Sequence, residues 1–180
     1  MGTLWFTSDQ HFGHDKIRIY CDRPFKSVDE MNEAMIASWN SVVKPKDTVF
    51  QIGDFLISGV EESRRIRGRL NGKICLIRGN HDKTAEQMSD AFEWIKDYHE
   101  LKISDSDSDE GFERIVLSHY AFRVWNRSRK GAWHLYGHSH CGLDEDPESL
   151  SFDVGVDCNH FLPLSYEQVK ARMKSKIESL

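Results

Sequence analysis

Five short apolar runs, rich in β-branched and aromatic residues, recur along the chain and predict buried strands. The runs cover residues 5–8, 48–53, 73–77, 115–118 and 133–137. Apolar and polar residues alternate over 98–103, 112–117 and 152–157, which predicts a hairpin and one further half-buried strand. The hairpin turn, 104–111, is acidic but lacks the remaining spaced ligands of a calcium loop, so a solvated turn is favoured over a calcium site.

Helical periodicity separates these strands. The first helix is predicted over 27–43, where a capping box opens it. Further helices are predicted over 60–70 and 84–94 and after a cap at Ser165. The order of strands and helices indicates a layered α/β protein. Since no long repeat or linker interrupts it, residues 1–180 are predicted to form one domain.

The composition narrows the class of protein. The 180 residues are 39% apolar and 29% charged, as in ordinary soluble proteins, and no apolar stretch approaches the ~20 residues of a membrane span. A formal charge of −5 argues against a surface that binds nucleic acid throughout. Without a leader-like N-terminus or close cysteine spacing, the chain is predicted to be cytoplasmic, with Cys21, Cys75, Cys141 and Cys158 as reduced thiols.

Each of the five apolar runs leads into side chains that bind metal ions. In layered α/β proteins, ligand sites gather beyond the carboxyl ends of strands, so these side chains are expected to converge. The candidates are Asp9, His11, Asp54, Asn80, His119, His138 and His140. Seven ligands exceed the needs of one tetrahedral ion, and oxygen donors mixed with imidazoles suit Mn²⁺, Fe or Zn²⁺. The set therefore predicts two divalent ions, whose charge would attract an anionic phosphate ester.

The same residues resemble the motifs of a known family. Asp9-Gln10-His11, Gly53-Asp54, Gly79-Asn80-His81-Asp82, Ser118-His119 and Gly137-His138-Ser139-His140 are similar, in order and spacing, to those of the calcineurin-like metallophosphoesterases. The resemblance implies a four-layer α/β sandwich of two mixed β-sheets flanked by helices. It also implies that Asp9, His11 and His140 bind one ion, that Asn80, His119 and His138 bind the other, and that Asp54 bridges both.

His81 and Asp82 are the predicted catalytic residues. The resemblance implies that His81 donates a proton to the leaving oxygen and that Asp82 orients its ring, while the predicted nucleophile is a hydroxide bridging the metals. An imidazole can be cationic near neutral pH, and a carboxylate on its far nitrogen would hold the tautomer. Asn80, His81 and Arg123 are the predicted contacts to substrate.

The sequence departs from many relatives directly after Asp54. An acidic residue followed by an arginine is common there, whereas this chain has Phe55 and Leu56. The substrate contact of that arginine must be made elsewhere or be missing. Independently of this departure, the segment 120–133 interleaves cations and aromatics. These side chains either hold phosphate and stack a base or form a loop with its aromatics in the core and its charges in water.

Other polar residues are interpreted more simply. Residues 12–14 resemble the corresponding residues in a small bacterial and phage-like branch of the family. His14 either lines the site or caps the next helix. His134 is expected on the solvated face of its strand, with His99 and His160 at the surface or behind the site. A solvated helix face is predicted for Arg64, Arg65, Arg67 and Arg69.

The predicted function is hydrolysis of small phosphodiesters or nucleotide-like phosphomonoesters by two divalent ions (Mn, Fe, Zn or Ni, with Mn favoured for activity). The expected partner is a small phosphate ester. Nucleic acid is less favoured, no membrane is expected, and the oligomeric state is open. Two alternatives stay open: a nuclease or RNA-end phosphatase with a basic groove beside the metals, and a catalytically idle metal-binding scaffold.

Overall fold

Nine strands and four α-helices occur in the computed structural model, which describes residues 2–178; Met1, Ser179 and Leu180 of the predicted 1–180 domain lie outside the described residues. The strands are β1 (Leu4–Thr7), β2 (Thr48–Ile52), β3 (Lys73–Ile77), β4 (Trp94–Lys96), β5 (Tyr98–Ser104), β6 (Phe112–Ser118), β7 (Trp133–Tyr136), β8 (Ser151–Asp153) and β9 (Leu164–Ser165). The helices are α1 (Ile17–Tyr20), α2 (Val28–Val42), α3 (Val60–Arg67) and α4 (Tyr166–Glu178).

The strands form two mixed sheets. The first has the order β4-β3-β2-β1-β9, in which β1 to β4 are parallel and β9 is antiparallel to β1. The second has the order β5-β6-β7-β8, with the predicted hairpin β5–β6 antiparallel and the remaining pairs parallel. The predicted α/β fold class, with two mixed sheets and flanking helices, is confirmed.

Side chains from the first sheet enter two separate cores. In β3, Ile74 and Leu76 pack with α2 and α3, whereas Cys75 and Ile77 point to the other side. That second core also receives apolar side chains from the second sheet and from α4. Because successive strand residues alternate between faces, a sheet covered on both sides needs a continuous apolar run. This requirement explains the runs that the sequence shows.

The predicted helices at 27–43, 60–70 and after Ser165 are confirmed as α2, α3 and α4, but the one at 84–94 is wrong. Residues Ala85–Ala91 form a 3₁₀ segment interrupted by Met88, which has φ −136° and ψ 35°. Trp94 already belongs to β4, paired with Cys75. Pairing with the sheet and burial of Met88 override local helix propensity here.

The strand predicted over 152–157 is shorter than expected. Strand β8 ends at Asp153, whose Oδ1 accepts a 2.6 Å hydrogen bond from the backbone N–H of Gly155. The chain turns there, and Val156–Cys158 forms a 3₁₀ turn whose first N–H donates to the carbonyl of Ser8. The turn brings Asp157 towards the ends of β1 and β7.

Two predictions about polar side chains are wrong. His134 is fully buried; its Nδ1 lies 3.1 Å from the carbonyl oxygen of Val116, and its Nε2 accepts a hydrogen bond from the N–H of Phe122. Arg67 is half-buried because its guanidinium donates to the carbonyls of Leu70, Gly72 and Ala91. The other three arginines of the cluster are exposed and ion-paired.

The cysteine prediction is also wrong in part. Cys141 and Cys158 form a disulfide, whereas Cys21 and Cys75 are free thiols. The sequence separation of 17 residues conceals the proximity that the turn after β8 creates. No helix among residues 2–178 is long and apolar enough to cross a membrane. The cytoplasmic location stays a prediction.

Candidate metal centre

The seven candidate ligands lie at one edge of the two sheets, in the segments that follow β1, β2, β3, β6 and β7. Backbone hydrogen bonds tie neighbouring segments together: the N–H of Asp9 donates to the carbonyl of Gly53, and that of His11 to the carbonyl of Asp54. Gly137 donates in the same way to His119. The convergence predicted from the strand ends is therefore observed.

Five of the seven candidates have a left-handed backbone. They are Asp9 (φ 62°), His11 (φ 54°), Asp54 (φ 52°), His138 (φ 70°) and His140 (φ 46°). This conformation is uncommon outside glycine, and it persists only where the surrounding structure enforces it. The local strain turns each side chain from the strand direction towards the common centre.

Two glycines permit the close approach of these segments. Gly53 has φ +90°, and a Cβ there would collide with the ring of His119. A Cβ on Gly79 would collide with the carboxylate of Asp54. Both glycines precede a candidate ligand directly, so their lack of a side chain is needed where the segments that carry the candidate ligands meet.

Asp9, His11 and His140 form the first group of candidate ligands. Oδ1 of Asp9 lies 3.9 Å from Nε2 of His11 and 3.9 Å from Nε2 of His140. Two ligands that each lie about 2.1 Å from one ion are separated by roughly 3.0–3.4 Å. The group therefore needs a contraction of about half an ångström to close around a cation.

Asp54, His119 and His138 form the second group, and Asn80 adjoins it. Oδ1 of Asn80 lies 3.2 Å from Nε2 of His119. Oδ2 of Asp54 lies 3.6 Å from the same nitrogen and 3.5 Å from Nε2 of His11, which belongs to the first group. A single carboxylate oxygen thus lies between the two groups, while Oδ1 of Asp54 accepts from the N–H of His81.

The polar atoms at the centre fit a cation. Oδ1 of Asp9 and Nε2 of His11 are buried and lack a hydrogen-bond partner among residues 2–178. The other oxygen of Asp9 accepts a 2.9 Å hydrogen bond from the N–H of His138. An unpaired buried acceptor costs about 1–3 kcal/mol, and a divalent ion would satisfy both atoms. The donor set, carboxylate, amide and imidazole without thiolate, suits Mn, Fe or Zn.

Three candidate imidazoles are held through Nδ1, which leaves Nε2 for the centre. Nδ1 of His119 lies 2.8 Å from the carbonyl oxygen of Ile52, and Nδ1 of His11 lies 3.2 Å from Nδ1 of His14. Nδ1 of His140 lies 2.6 Å from Oδ2 of Asp157. Partners of this kind fix the tautomer and the ring orientation of a metal ligand.

Arg23 completes the support of His140, and sequence reasoning missed both Arg23 and Asp157. The buried guanidinium forms a bidentate ion pair with Asp157 at 2.8 Å and donates to the carbonyls of Asp9 and Gln10. Only the position of Asp157 at a strand end hinted at a role. The 134 residues between the two partners hide the pair from any local pattern.

Burial and neighbouring charges raise the pKa of one candidate ligand and lower the pKa values of two others. Burial raises the pKa of Asp9 to about 7, against the attraction of His119 and His140. Burial lowers the pKa of His11 to about 2. For Asp54, burial opposes ionisation, but the hydrogen bond and charge of His119 and the N–H of His81 hold the pKa at about 2. Near neutral pH the ring of His11 is therefore neutral and the carboxylate of Asp54 is ionised, which are the forms that bind a metal ion.

Asp82 does not orient the ring of His81 as predicted. Its buried carboxylate accepts 2.8 Å hydrogen bonds from the backbone N–H groups of Asp54, Phe55 and Gly79, and no hydrogen bond joins it to the His81 imidazole among residues 2–178. Asp82 instead ties the segment after β2 to the segment after β3. His81 itself is exposed, and its ring centroid lies 5.5 Å from that of His11.

A cleft of about 720 Å³ opens above the centre. Its lining includes His14 together with His81, Asn80, His138 and His140, so the first of the two interpretations of His14 holds. Arg123 is exposed and does not belong to the lining. The segment 120–133 packs Trp125 against the second sheet and places Tyr120 against His138, while its cations face outwards.

Comparison with known proteins agrees with the architecture. The sequence profile described as calcineurin-like phosphoesterase matches residues 2–158. The chain is 34% identical to the uncharacterized protein MJ1445 of Methanocaldococcus jannaschii, covering 98% of this chain and 95% of that protein. It is 26% identical to the Gene 66 protein of Mycobacterium phage L5, covering 87% of each. A solved structure of a protein of unknown function from Aquifex aeolicus has the same fold, with 24% identity, a TM-score of 0.70, and 95% and 99% of the two chains covered.

Proposed function

The chain belongs to the calcineurin-like phosphoesterases, a family of metal-dependent phosphoesterases, and we propose that it hydrolyses small phosphodiesters or nucleotide-like phosphomonoesters with two divalent ions. The observation that carries the proposal is the position of Asp54. Its Oδ2 lies 3.5 Å and 3.6 Å from the Nε2 atoms of His11 and His119, one in each group of ligands. A single ion would not explain a carboxylate oxygen between two complete groups.

In this proposal each group holds one ion. The first ion would be held by Asp9, His11 and His140, the second by Asn80, His119 and His138, and Asp54 would contribute to both. Two divalent ions supply positive charge to the phosphoryl oxygens and generate a nucleophile from water near neutral pH. Two divalent ions together with the two aspartates would give the site a net charge near +2. The ion pair of Arg23 with Asp157 adds no net charge. We favour Mn²⁺ for activity, with Fe, Zn or Ni as alternatives.

The remaining groups of the chain position the ester and move a proton. His81 lies at the rim of the cleft, and its backbone N–H is held by Oδ1 of Asp54 at 2.9 Å. An imidazole at this place can act as a general acid that gives a proton to the leaving alkoxide oxygen. The amide of Asn80 and the ring of His81 would contact the phosphate oxygens.

Metal counting and a substrate panel test the proposal together. Stripped protein would be titrated with Mn²⁺, and elemental analysis should find two ions per chain. The loaded protein should then hydrolyse bis-p-nitrophenyl phosphate, p-nitrophenyl phosphate or members of a nucleotide panel. A single bound ion would overturn the dinuclear centre. Two bound ions without turnover of any ester would favour the idle scaffold. Turnover of RNA ends alone would favour the alternative of a nuclease or RNA-end phosphatase.

A further inference from the structure

The cleft is much larger than the scissile phosphate requires. Its volume of about 720 Å³ lies in the range of pockets that hold whole small-molecule ligands. Helix α1 and the residue before it form one wall, through Lys16, Ile17 and Tyr20, and His81 lies among the other lining residues. The wall therefore has room to contact the part of the substrate that is not the reacting phosphate.

Tyr20 presents an aromatic ring to this cleft. Its side chain is 69% exposed, and the ring makes no hydrogen bond or aromatic contact among residues 2–178. Ile17 is buried in the core below, and Arg18 donates to the carbonyl of Phe25, so the short helix is anchored. An anchored, uncovered aromatic ring is a surface on which a planar base stacks.

Lys16 supplies a cation on the same wall. The neighbouring carboxylate of Asp15 is bound by Arg18, at 2.9 Å and 2.6 Å, and Lys16 has no ion pair within the described part of the chain. The N–H of Tyr20 donates to the carbonyl of Lys16, a helical i, i+4 spacing that places the two side chains on one face. A ligand that matches this wall carries a planar ring and an anion of its own.

We propose that Lys16 and Tyr20 bind the leaving group, and that this group is a nucleoside monophosphate. Its base stacks on Tyr20, its own phosphate binds Lys16, and the scissile phosphate lies at the metal ligands. The oxygen of one water bonds to phosphorus, and the P–O bond to the nucleotide breaks with its electrons going to the nucleotide oxygen. That oxygen takes a proton from His81. The proton that the attacking water loses then returns His81 to its protonated form. The inference rests on the proposed function.

Two pairs of substrates that differ by one phosphate test the role of Lys16. Adenosine 3′,5′-bisphosphate is compared with adenosine 3′-monophosphate, and the dinucleotide pdTpdT with dTpdT, so that either ester class can report. Wild-type Mn²⁺-loaded protein should show about tenfold higher kcat/KM for the member with the second phosphate. Lys16→Met should reduce that ratio to about one, whereas the exposed Lys46→Met should keep it. An unchanged ratio in Lys16→Met would overturn the inference.

The stacking role of Tyr20 is tested with uncharged variants that either remove or keep the aromatic ring. Tyr20→Leu should lower kcat/KM about tenfold for both members of a pair, and Tyr20→Phe should restore it because the ring is kept. A loss in Tyr20→Phe as large as in Tyr20→Leu would exclude stacking. Bis-p-nitrophenyl phosphate and p-nitrophenyl phosphate distinguish failure of this inference from failure of the proposed function. If the loaded protein cleaves neither of these esters nor any of the nucleotides, the proposed function itself is overturned.

Discussion

Asp157 accepts a 2.6 Å hydrogen bond from Nδ1 of His140, and the same carboxylate is held by the buried Arg23. The Nε2 atom of His140, a candidate metal ligand, is thus positioned by a residue 17 positions away in the sequence. Asp157→Asn keeps the shape but removes the charge, so we expect Mn²⁺ affinity to fall about 10–100-fold. Calorimetric titration measures this change, with the exposed Asp109→Asn as control. Equal affinities in the two variants would contradict the role.

Asp82 should stabilise the fold and should not orient the ring of His81. Asp82→Asn replaces one acceptor oxygen by an N–H₂ group that faces backbone donors, so we expect a loss of about 2 kcal/mol in the free energy of unfolding. Urea denaturation of the metal-free protein measures it. A pH–rate profile with a shifted acidic limb but unchanged stability would restore the role in orienting the ring.

The disulfide lies next to the same support. Cys141 follows His140 and Cys158 follows Asp157, so the bond joins the two segments whose side chains form the 2.6 Å hydrogen bond. Reduction by a dithiol, which becomes a disulfide itself while two cysteine thiols form, should weaken Mn²⁺ binding by several-fold. The Cys141→Ser, Cys158→Ser double variant should show the same weakening without reductant and no further response to it. Identical affinity of the oxidised and reduced proteins would exclude the coupling.

His134 should make stability depend on pH. Burial lowers its pKa to about 4, although the carbonyl of Val116 favours the protonated ring. An unfolded histidine has a pKa of about 6.5, so between these values the unfolded chain binds a proton that the folded chain rejects. The contribution of His134 to the free energy of unfolding is therefore fully present above about pH 6.5 and is lost as the pH falls towards 4.

Comparison of variants isolates this contribution. Metal-free wild type and His134→Gln would be unfolded in urea at pH 7.5 and pH 5, since other buried groups titrate equally in both. The variant should be less stable at pH 7.5 but lose less stability on acidification. Parallel losses in the two proteins would show that His134 does not carry the dependence.

His81→Ala should separate chemistry from metal binding. The ring contributes no ligand in the proposed centre, so both ions should remain, while turnover falls about 10²–10⁴-fold, most strongly for esters with poor leaving groups. Elemental analysis and kcat for two esters of different leaving-group pKa measure the two effects, with His160→Ala as control. Full activity in His81→Ala would remove its assigned role.

Local sequence determined strands β1 to β3 and β5 to β8, three of the four predicted helices and the convergence of the candidate ligands, but not the short strands β4 and β9. A continuous apolar run such as 73–77 favours a strand that is buried on both faces. Polar residues that follow the carboxyl ends of such parallel strands lie at one edge of the sheet. These are properties of periodicity and of strand direction, which neighbouring residues encode. The ordered motifs around Asp54 and His119 indicated the family for the same reason.

Only the tertiary structure decided which groups support the ligands. The carboxylate of Asp82 accepts hydrogen bonds from three backbone N–H groups, and the carboxylate that holds the imidazole of a candidate ligand, His140, belongs to Asp157. His134 is buried because the segment 120–133 folds back over β7, which its strand pattern did not reveal. Hydrogen bonds between distant residues depend on where loops cross after packing, and no local period of the sequence records that crossing.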